Sequence, residues 1–262
     1  MKFSPLFSGS SGNCSFLEAE NVRLLIDAGL AGCTVTNALA KIGVAPETLN
    51  AILITHEHSD HISGVGVLSR KYKLPVYANE RTWNAMREKI GYIPPKLVRV
   101  FETDRDFYIK ELNVLPFSTP HDAAEPIGYC FSYRNKKVSI MTDIGHVTNR
   151  MLDIIEHSSL LLLEANHDVE MLLAGSYPYH LKRRILSDTG HLSNENAGKA
   201  LAKLYLRGLR NVILGHLSRE NNLEPLALET VKMVLRQEDI PDTAVNMGLA
   251  HRDRPSGIYI ID

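Results

Sequence analysis

Four side chains that can bind metal fall within six consecutive residues of this chain. The segment His56-Glu57-His58-Ser59-Asp60-His61 directly follows a short apolar run that predicts a buried strand. In an extended segment alternate side chains share a face, so His56 and His58 can hold one metal ion. Asp60 and His61 lie where the backbone turns toward a helix and can face another ion. The spacing therefore suits two metal ions better than one.

Further ligands must come from elsewhere, because four residues cannot complete two metal sites. A zinc-binding helix of the H-E-x-x-H type is excluded, since the residue four after His56 is Asp60. Three candidates stand at the ends of other predicted strands, namely His121, Asp143 and His216. We expect these strand ends to meet the histidine segment at one edge of a sheet.

The elements that must position these residues follow from the apolar pattern. Short runs rich in Val, Ile and Leu predict buried strands at residues 22–26, 51–55, 138–142, 160–164 and 211–215. Amphipathic helices are predicted at residues 62–72, 80–90, 194–206 and 225–237, with Ser193 as the N-cap of the third. Residues 106–133 favour an antiparallel portion. The mixture predicts a layered α/β architecture with mixed sheets.

The composition of the chain limits the number of domains and the kinds of substrate that we expect. The chain has 262 residues, 44% of them hydrophobic, and no repeat or linker interrupts it, so we expect a single domain over residues 1–262. The 29 Lys and Arg nearly balance the 30 Asp and Glu, so no global field attracts nucleic acid or an anionic membrane. A polyanionic substrate would need local basic patches and metal.

Two further features of the sequence bear on the cellular compartment, namely targeting or membrane segments and the cysteines. The first 15 residues lack the pattern of a signal peptide, and no stretch approaches the roughly 18 apolar residues of a membrane span, so we expect a cytoplasmic protein with no membrane partner. Cys14, Cys33 and Cys130 lie far apart without CxxC spacing. They predict neither a disulfide framework nor a zinc knuckle.

The order of the candidate ligands resembles that of a known family. His56-x-His58-x-Asp60-His61, followed by His121, Asp143 and His216, is similar to the metallo-β-lactamase superfamily across nearly the whole chain. The resemblance implies a four-layer αββα sandwich. It also implies that His56, His58 and His121 hold one ion, that Asp60, His61 and His216 hold the other, and that Asp143 bridges both. Asp27 matches the structural aspartate that orients the ligand loop in that family.

Other segments resemble the nucleolytic branch of this superfamily. Residues 8–13, Ser-Gly-Ser-Ser-Gly-Asn, resemble the Gly-Ser loop beside the active site of bacterial ribonuclease J, whose glycines let backbone amides approach a phosphate. Residues 164–168, 190–194 and 215–222 look like the YycJ, or WalJ, group and parallel the loops of ribonuclease Z. The resemblance implies a 5′-to-3′ exonuclease with DNA as its substrate. The candidate substrate contacts are Ser10, Ser11, Asn13, His167, Arg219 and Asn222.

Three departures narrow the choice within the superfamily. Nothing here resembles the transfer-RNA-binding arm of ribonuclease Z. Only 72 residues separate Asp143 from His216, which leaves no room for the inserted domain of the β-CASP nucleases. No cysteine lies between Asp143 and His216, whereas the commonest zinc β-lactamases use one as a ligand. Transfer-RNA processing and antibiotic hydrolysis are therefore disfavoured.

The chemistry that such a centre implies is phosphodiester hydrolysis. Two divalent ions about 3.5 to 4 Å apart can activate water and clamp the phosphate oxygens during in-line attack. Imidazole and carboxylate ligands suit zinc or manganese, and also iron. Basic residues that could meet phosphates are Lys182, Arg183, Arg184, Arg219, Arg252 and Arg254.

The departing oxygen needs a proton donor, for which we name Glu164 and His191. Glu164 ends the predicted strand at residues 160–164, and His191 precedes the helix cap Ser193. With Asp60 they are the candidate catalytic residues, although His191 could instead secure the helix entrance. Two other functions stay open. The same centre could hydrolyse a small ester, thioester, lactone or cyclic phosphate, or the chain could be a non-catalytic metal-binding protein.

Overall fold

The computed structural model describes all of residues 1–262. In chain order, its strands and helices are β1 Lys2–Phe7, β2 Cys14–Ala19, β3 Val22–Ile26, α1 Gly32–Lys41, β4 Ala51–Leu53, α2 Ser59–Ile62, α3 Val65–Tyr72, β5 Val76–Asn79, α4 Glu80–Ile90, β6 Val98–Phe101, β7 Phe107–Ile109, β8 Leu112–Ser118, β9 Ile127–Tyr133, β10 Lys136–Met141, α5 Asn149–Ile155, β11 Leu160–Glu164, α6 Val169–Ala174, α7 Tyr179–Ile185, α8 Asn194–Leu206, β12 Asn211–Gly215, α9 Glu224–Gln237, β13 Asn246–Leu249 and β14 Tyr259–Ile260. None of the helices combines the length and the apolar character needed to cross a bilayer.

The chain divides into two compact units. The first comprises Met1–Ser118, Ala123–Lys136 and Ala250–Asp262, and the second comprises Thr119–Asp122 and Lys137–Leu249. The single domain expected from the sequence stays a prediction.

The first unit contains a seven-stranded mixed sheet in the order β14-β1-β2-β3-β4-β5-β6. The strands from β14 to β3 pair antiparallel, and those from β3 to β6 pair parallel. A hydrophobic cluster packs α1, α3 and α4 on this sheet, with Leu25, Ile52 and Val76 contributed by the strands. Because β3 and β4 are parallel neighbours, their carboxyl ends lie at the same edge. The residues that follow them are thereby brought together.

Strands β7, β8 and β9 of the first unit form an antiparallel meander. This agrees with the antiparallel portion expected between residues 106 and 133. Their pairing places Leu112, Val114 and Phe131 in the interior, where all three are fully buried.

The second unit is built on parallel strands in the order β13-β12-β11-β10. Strands β11 and β12 are almost entirely apolar and buried, as expected of strands covered on both faces, and β10 is buried from Val138 to Met141. In register, Met141 lies beside Leu163 and Glu164 beside Gly215. The residues just after these strands consequently share one edge of the unit.

Helix α8 begins where the sequence predicts, because the Ser193 side chain accepts a hydrogen bond from the backbone N–H of Asn196. The helix predicted at residues 62–72 is instead divided into α2 and α3. Gly64, between the two, donates its N–H to the carbonyl of Ala28, and a Cβ there would lie 2.2 Å from the oxygen of Leu30. The backbone must approach this loop closely, so a packing contact overrides the helical periodicity.

Candidate functional site

The histidine segment of the first unit begins at the end of β4 and is held by Asp27 at the end of β3. One Asp27 carboxylate oxygen accepts the backbone N–H of Thr55 at 2.8 Å, and the other accepts the Thr55 hydroxyl at 2.8 Å. The second oxygen also lies 2.8 Å from Nδ1 of His61. Donation of the Nδ1 proton to Asp27 leaves Nε2 of His61 as the ring's lone-pair nitrogen, the form that a metal ligand requires.

Nitrogen atoms of two histidines converge in this segment. His56 Nε2 and His58 Nδ1 lie 3.0 Å apart, and the rings of His56 and His61 have their centroids 4.0 Å apart. Two imidazoles on one tetrahedral zinc ion, each about 2.0 to 2.1 Å from the metal, would hold their nitrogens about 3.3 Å apart. The pair therefore fits a shared ion.

The Gly-Ser loop at residues 8–13 reaches the far side of the same segment. The Asn13 amide nitrogen lies 3.0 Å from Nε2 of His61 and 3.3 Å from a carboxylate oxygen of Asp60, while the Asn13 oxygen accepts the N–H of Gly9 at 2.9 Å. The backbones are equally close, because Asn13 N–H donates to the carbonyl of Asp60 at 2.7 Å. Asn13 is buried, so it holds the loop against the Asp60-His61 pair.

A second cluster lies at the carboxyl ends of the parallel strands in the second unit. His216 Nδ1 lies 3.0 Å from one oxygen of Asp143, and His121 Nε2 lies 3.9 Å from the other. His121 donates its Nδ1 proton to the carbonyl of Gly190 at 3.0 Å, so Nε2 carries its lone pair. Burial lowers the pKa of His121 against the raising effect of Asp143. The imidazole is thereby kept neutral, as a ligand must be.

Glu164 lies at this second cluster and is close to two of its histidines. One of its oxygens lies 2.7 Å from Nδ1 of His191 and 3.7 Å from Nδ1 of His216, and the other accepts the N–H of Ile144 at 2.8 Å. Ligand atoms of Glu164, His191 and His216 all lie within 4.8 Å of one another, and so do those of His121, Asp143 and His191. Glu164 and His191, the two candidate proton donors, are thus in hydrogen-bond contact, and His191 is also close enough to count among the possible ligands.

His167 lies behind this cluster with neither ring nitrogen bonded. It is 1% exposed, and both Nδ1 and Nε2 lack a hydrogen-bond partner. Burial lowers its pKa to about 4, although Glu164 opposes the shift. A neutral imidazole with two unsatisfied nitrogens inside a protein is uncommon and suggests a site for a water molecule or a ligand.

The remaining predicted substrate contacts differ in exposure. Ser10, Ser11 and Arg219 are exposed to solvent. Asn222 is buried: its amide nitrogen donates to the carbonyls of Ala165 and Asn166, and its oxygen accepts the N–H of Leu223 and the Asn194 amide. Its hydrogen-bonding groups are therefore used within the protein.

Sequence reasoning missed the supporting residues Asn166 and Asp122, and it did not anticipate the backbone conformation of three named residues. Asn166 donates its side-chain N–H to the carbonyl of His216 at 2.9 Å, and Arg184 pairs with Asp122 at 2.5 Å. Asp27, Asp143 and His216 all have positive φ, between 55° and 58°. Non-glycine residues adopt this left-handed backbone uncommonly, and it turns each side chain back over the strand end. No local sequence signal marks these features beyond the residue type itself.

Comparisons with known proteins agree with the geometry. Residues 22–217 match the family described as "Beta-lactamase superfamily domain". The chain is 46% identical to the exodeoxyribonuclease WalJ of Streptococcus pneumoniae, covering 91% of this chain and 90% of that protein. It is 44% identical to the exodeoxyribonuclease YycJ of Bacillus anthracis, again over 91% and 90% of the two chains.

Two solved structures share the fold. The metallo-beta-lactamase fold protein YhfI from Bacillus subtilis is 16% identical with a TM-score of 0.75 and covers 99% of each chain. The short form of human tRNase Z is 18% identical with a TM-score of 0.67 over the full length of both chains. These similarities confirm the expected α/β sandwich with mixed sheets.

Proposed function

Because this chain belongs to the metallo-β-lactamase superfamily, and within it to the family of the WalJ and YycJ exodeoxyribonucleases, we propose that it is a metal-dependent exonuclease that degrades DNA from a 5′ end. The observation that carries the proposal is 46% identity to a protein named as an exodeoxyribonuclease, spread over 91% of this chain. The His and carboxylate clusters at the strand ends support a hydrolytic metal centre.

The proposed centre uses the seven ligands named from the sequence. His56, His58 and His121 would hold one ion, and Asp60, His61 and His216 would hold the other, with Asp143 as the ligand common to both. Support comes from each cluster by itself: the first brings together the His56 and His58 nitrogens, and the second brings Asp143 within 3.0 Å of His216. Asp27 and the carbonyl of Gly190 fix the ring orientations of His61 and His121.

The ions would be zinc or manganese, with iron as a further possibility, because neutral imidazole and carboxylate suit all three. When bound, the pair supplies an activated water and polarises the phosphodiester oxygens. The protein's own part is to fix the orientation of these side chains, through the hydrogen bonds that join His61 to Asp27, the N–H of Ile144 to Glu164, and His216 to Asp143.

We assign protonation of the leaving oxygen to His191. Its Nδ1 donates to Glu164, so its Nε2 is the atom that would deliver the proton. Glu164 is fully buried and is fixed by the N–H of Ile144, and it therefore holds the ring in one orientation. His191 is only partly buried, as a group that must reach a substrate requires. We also assign to Asp60 a catalytic role in addition to metal binding.

Substrate contacts are proposed for the exposed residues Ser10, Ser11 and Arg219, and for the buried His167. Asn13 and Asn222 are assigned to holding the Gly-Ser loop and the residue 215–222 loop, because their amides are bonded within the protein. We further propose a cytoplasmic location, since none of the three cysteines forms a disulfide, as is usual in a reducing compartment.

Digestion of DNA with a 5′ phosphate and a fluorophore at its 3′ end tests the function. With manganese or zinc present, we expect mononucleotides together with 3′-labelled fragments that shorten progressively. His58→Ala and Asp143→Ala should abolish digestion while leaving the far-ultraviolet circular dichroism unchanged. Release of the labelled nucleotide first would reverse the proposed polarity. Turnover of lactones or thioesters with DNA left intact would replace the nuclease with a small-molecule hydrolase.

Elemental analysis of the metal-loaded protein tests the centre separately. Two ions per chain are expected for the wild type, with loss of at least one in the His58→Ala variant. A fully active protein that holds one ion or none would overturn the dinuclear assignment.

A further inference from the structure

An exposed aromatic and basic face lies on helix α7 of the second unit. The Tyr179 side chain is 75% exposed, and the guanidinium carbon of Arg183 lies 6.0 Å from the centre of its ring. The two residues are four apart, which places them about one turn, roughly 6 Å, from each other along the helix. The 13 residues from 175 to 187 include no acidic residue. Nothing within that segment neutralises the face.

Only one of the three consecutive basic residues of α7 is left to meet a ligand. The Lys182 ammonium donates to the carbonyls of Leu173 and Gly175, at 2.7 Å each, and so closes the end of α6. The Arg184 guanidinium pairs with Asp122 at 2.5 Å. Arg183 is exposed and makes its one ring contact with Tyr179. Lys182 and Arg184 are thus held by contacts within the protein, whereas Arg183 is available to a ligand.

The same contacts fix where this face lies. Asp122 directly follows the candidate ligand His121, and its ion pair with Arg184 attaches α7 to that segment. The loop after α7 returns to the cluster, since the carbonyl of Gly190 accepts from His121 and His191 follows at once. The C-terminal end of α7, which carries Arg183 and Arg184, therefore lies beside the second cluster of the candidate site.

We propose that Tyr179 and Arg183 form a platform for single-stranded DNA, on which one base stacks on the tyrosine ring while the guanidinium contacts the adjacent phosphate. The inference rests on the proposed nuclease function and names the surface that holds the strand next to the scissile bond. An unpaired strand is the occupant because it offers both an accessible base face and a phosphate, whereas a duplex hides its base faces. The excess of positive charge complements the strand.

Binding measured without catalysis gives the most direct test. A fluorescein-labelled single strand is titrated into the metal-free protein in EDTA and followed by fluorescence anisotropy. Tyr179→Ala should weaken binding about 5- to 100-fold, the range for loss of one base stack, and Tyr179→Phe should retain most of it. Arg183→Ala should also weaken binding. In addition, Arg183→Ala should make the plot of the log association constant against log salt concentration less steep by about 0.7. This is the value for one phosphate contact on a single strand.

Matched controls come from the opposite end of the same unit. The guanidinium carbon of Arg210 lies 4.2 Å from the ring centre of Tyr205, so this pair has the same cation–ring contact as the platform, with the guanidinium also donating to the carbonyls of Tyr205 and Leu209. It precedes β12, whereas the candidate site follows that strand. Arg210→Ala and Tyr205→Ala should leave both DNA affinity and the salt slope unchanged.

The outcomes separate this inference from the proposed function. If the wild type digests DNA while Tyr179→Ala and Arg183→Ala bind as tightly as it does, the platform is wrong and the nuclease assignment stands. If the loss of affinity in Tyr179→Ala is accompanied by a loss of far-ultraviolet circular dichroism, it stems from unfolding of α7, and this also overturns the platform. If the wild type digests no DNA with either metal, the proposed function fails first.

Discussion

At the scale of single residues, Glu164 is the group on which the second cluster depends. It is fully buried, yet each oxygen has a partner: one faces His191 and His216, and the other accepts the N–H of Ile144. A buried carboxylate is tolerated only when it is hydrogen-bonded and close to cationic or metal-binding groups. Its position fixes the orientation of the proposed proton donor.

Replacing His191 should therefore affect the leaving oxygen specifically. We expect His191→Ala to retain its metal ions and to slow DNA cleavage by roughly 10²- to 10⁴-fold, the range for loss of a general acid. A nitrophenyl phosphodiester has a leaving group that needs no proton, so its hydrolysis should largely escape the defect. Rates on both substrates and the metal content of the variant are the measurements. Equal slowing on both, or loss of metal, would make His191 a ligand or a scaffold residue.

His167 should make the protein sensitive to acid. Its pKa is lowered to about 4 in the folded protein, whereas an unfolded histidine titrates near 6.5. Between these values the unfolded state binds more protons, so stability is complete above pH 6.5 and falls as the pH decreases toward 4. The loss amounts to roughly 3 kcal/mol, as an order of magnitude.

Urea unfolding of the metal-free protein across this pH range measures the effect. As the pH falls, the free energy of unfolding should decline less steeply in His167→Gln than in the wild type. The difference between the two slopes should correspond to about one bound proton. Other histidines titrate in both proteins and cancel in the difference. Identical curves for the two proteins would mean that His167 is not buried in its neutral form.

At the scale of elements, the carboxyl ends of parallel strands deliver the functional residues. Asp27 follows β3 while the histidine segment follows β4, and Asp143, Ala165 and His216 follow β10, β11 and β12. Because such strands run in register, the residues just beyond them converge at one edge of each unit. Close backbone packing then holds the loops in place.

Gly29 shows how close that packing is. A Cβ at this position would lie 1.6 Å from the carbonyl oxygen of Asp60, which also accepts the N–H of Asn13. We expect Gly29→Ala to displace the Asp60-His61 loop, to cost about 1 to 3 kcal/mol of stability and to weaken metal binding about 10- to 100-fold. Thermal unfolding and metal titration measure these two effects.

Gly32→Ala is the matched control for this substitution. Its added Cβ would lie 3.2 Å from a methyl group of the Val67 side chain rather than against backbone, and alanine suits the start of α1. Stability and metal affinity should stay close to the wild type. If Gly29→Ala behaved in the same way, the loop would be more compliant than its packing indicates.

At the scale of the whole molecule, the chain crosses repeatedly between its two compact units. It passes from one to the other after residues 118, 122, 136 and 249, so neither unit is a continuous stretch of sequence. Each unit takes residues from separate stretches of the chain, and these stretches must meet before the unit is complete. Whether the chain forms one domain or two therefore depends on whether the two units unfold together.

We predict one cooperative unfolding transition for the metal-free chain. Because the two units share their connections at four points, they should unfold together, with the calorimetric enthalpy equal to the van't Hoff enthalpy. Differential scanning calorimetry in EDTA provides the measurement. Two resolved transitions would show that the units are separate domains.

The sequence by itself determined the features that depend on local pattern. Strands β3, β11 and β12 and helices α4 and α8 have the bounds that their periodicity predicts, because neighbouring residues set that periodicity. The histidine segment was recognisable for the same reason, since four potential ligands are close along the chain. The superfamily followed from the order of these motifs, and the comparisons confirm it.

Only the tertiary structure decided which distant residues meet. The shared Glu164 oxygen, the burial of Asn222 and the division of labour among Lys182, Arg183 and Arg184 each depend on partners far along the chain. Gly64 interrupts a regular helical pattern because the Ala28 to Leu30 backbone packs against it. A linear pattern records the type of each residue, whereas long-range packing sets its partners. These roles therefore could not be predicted from the sequence.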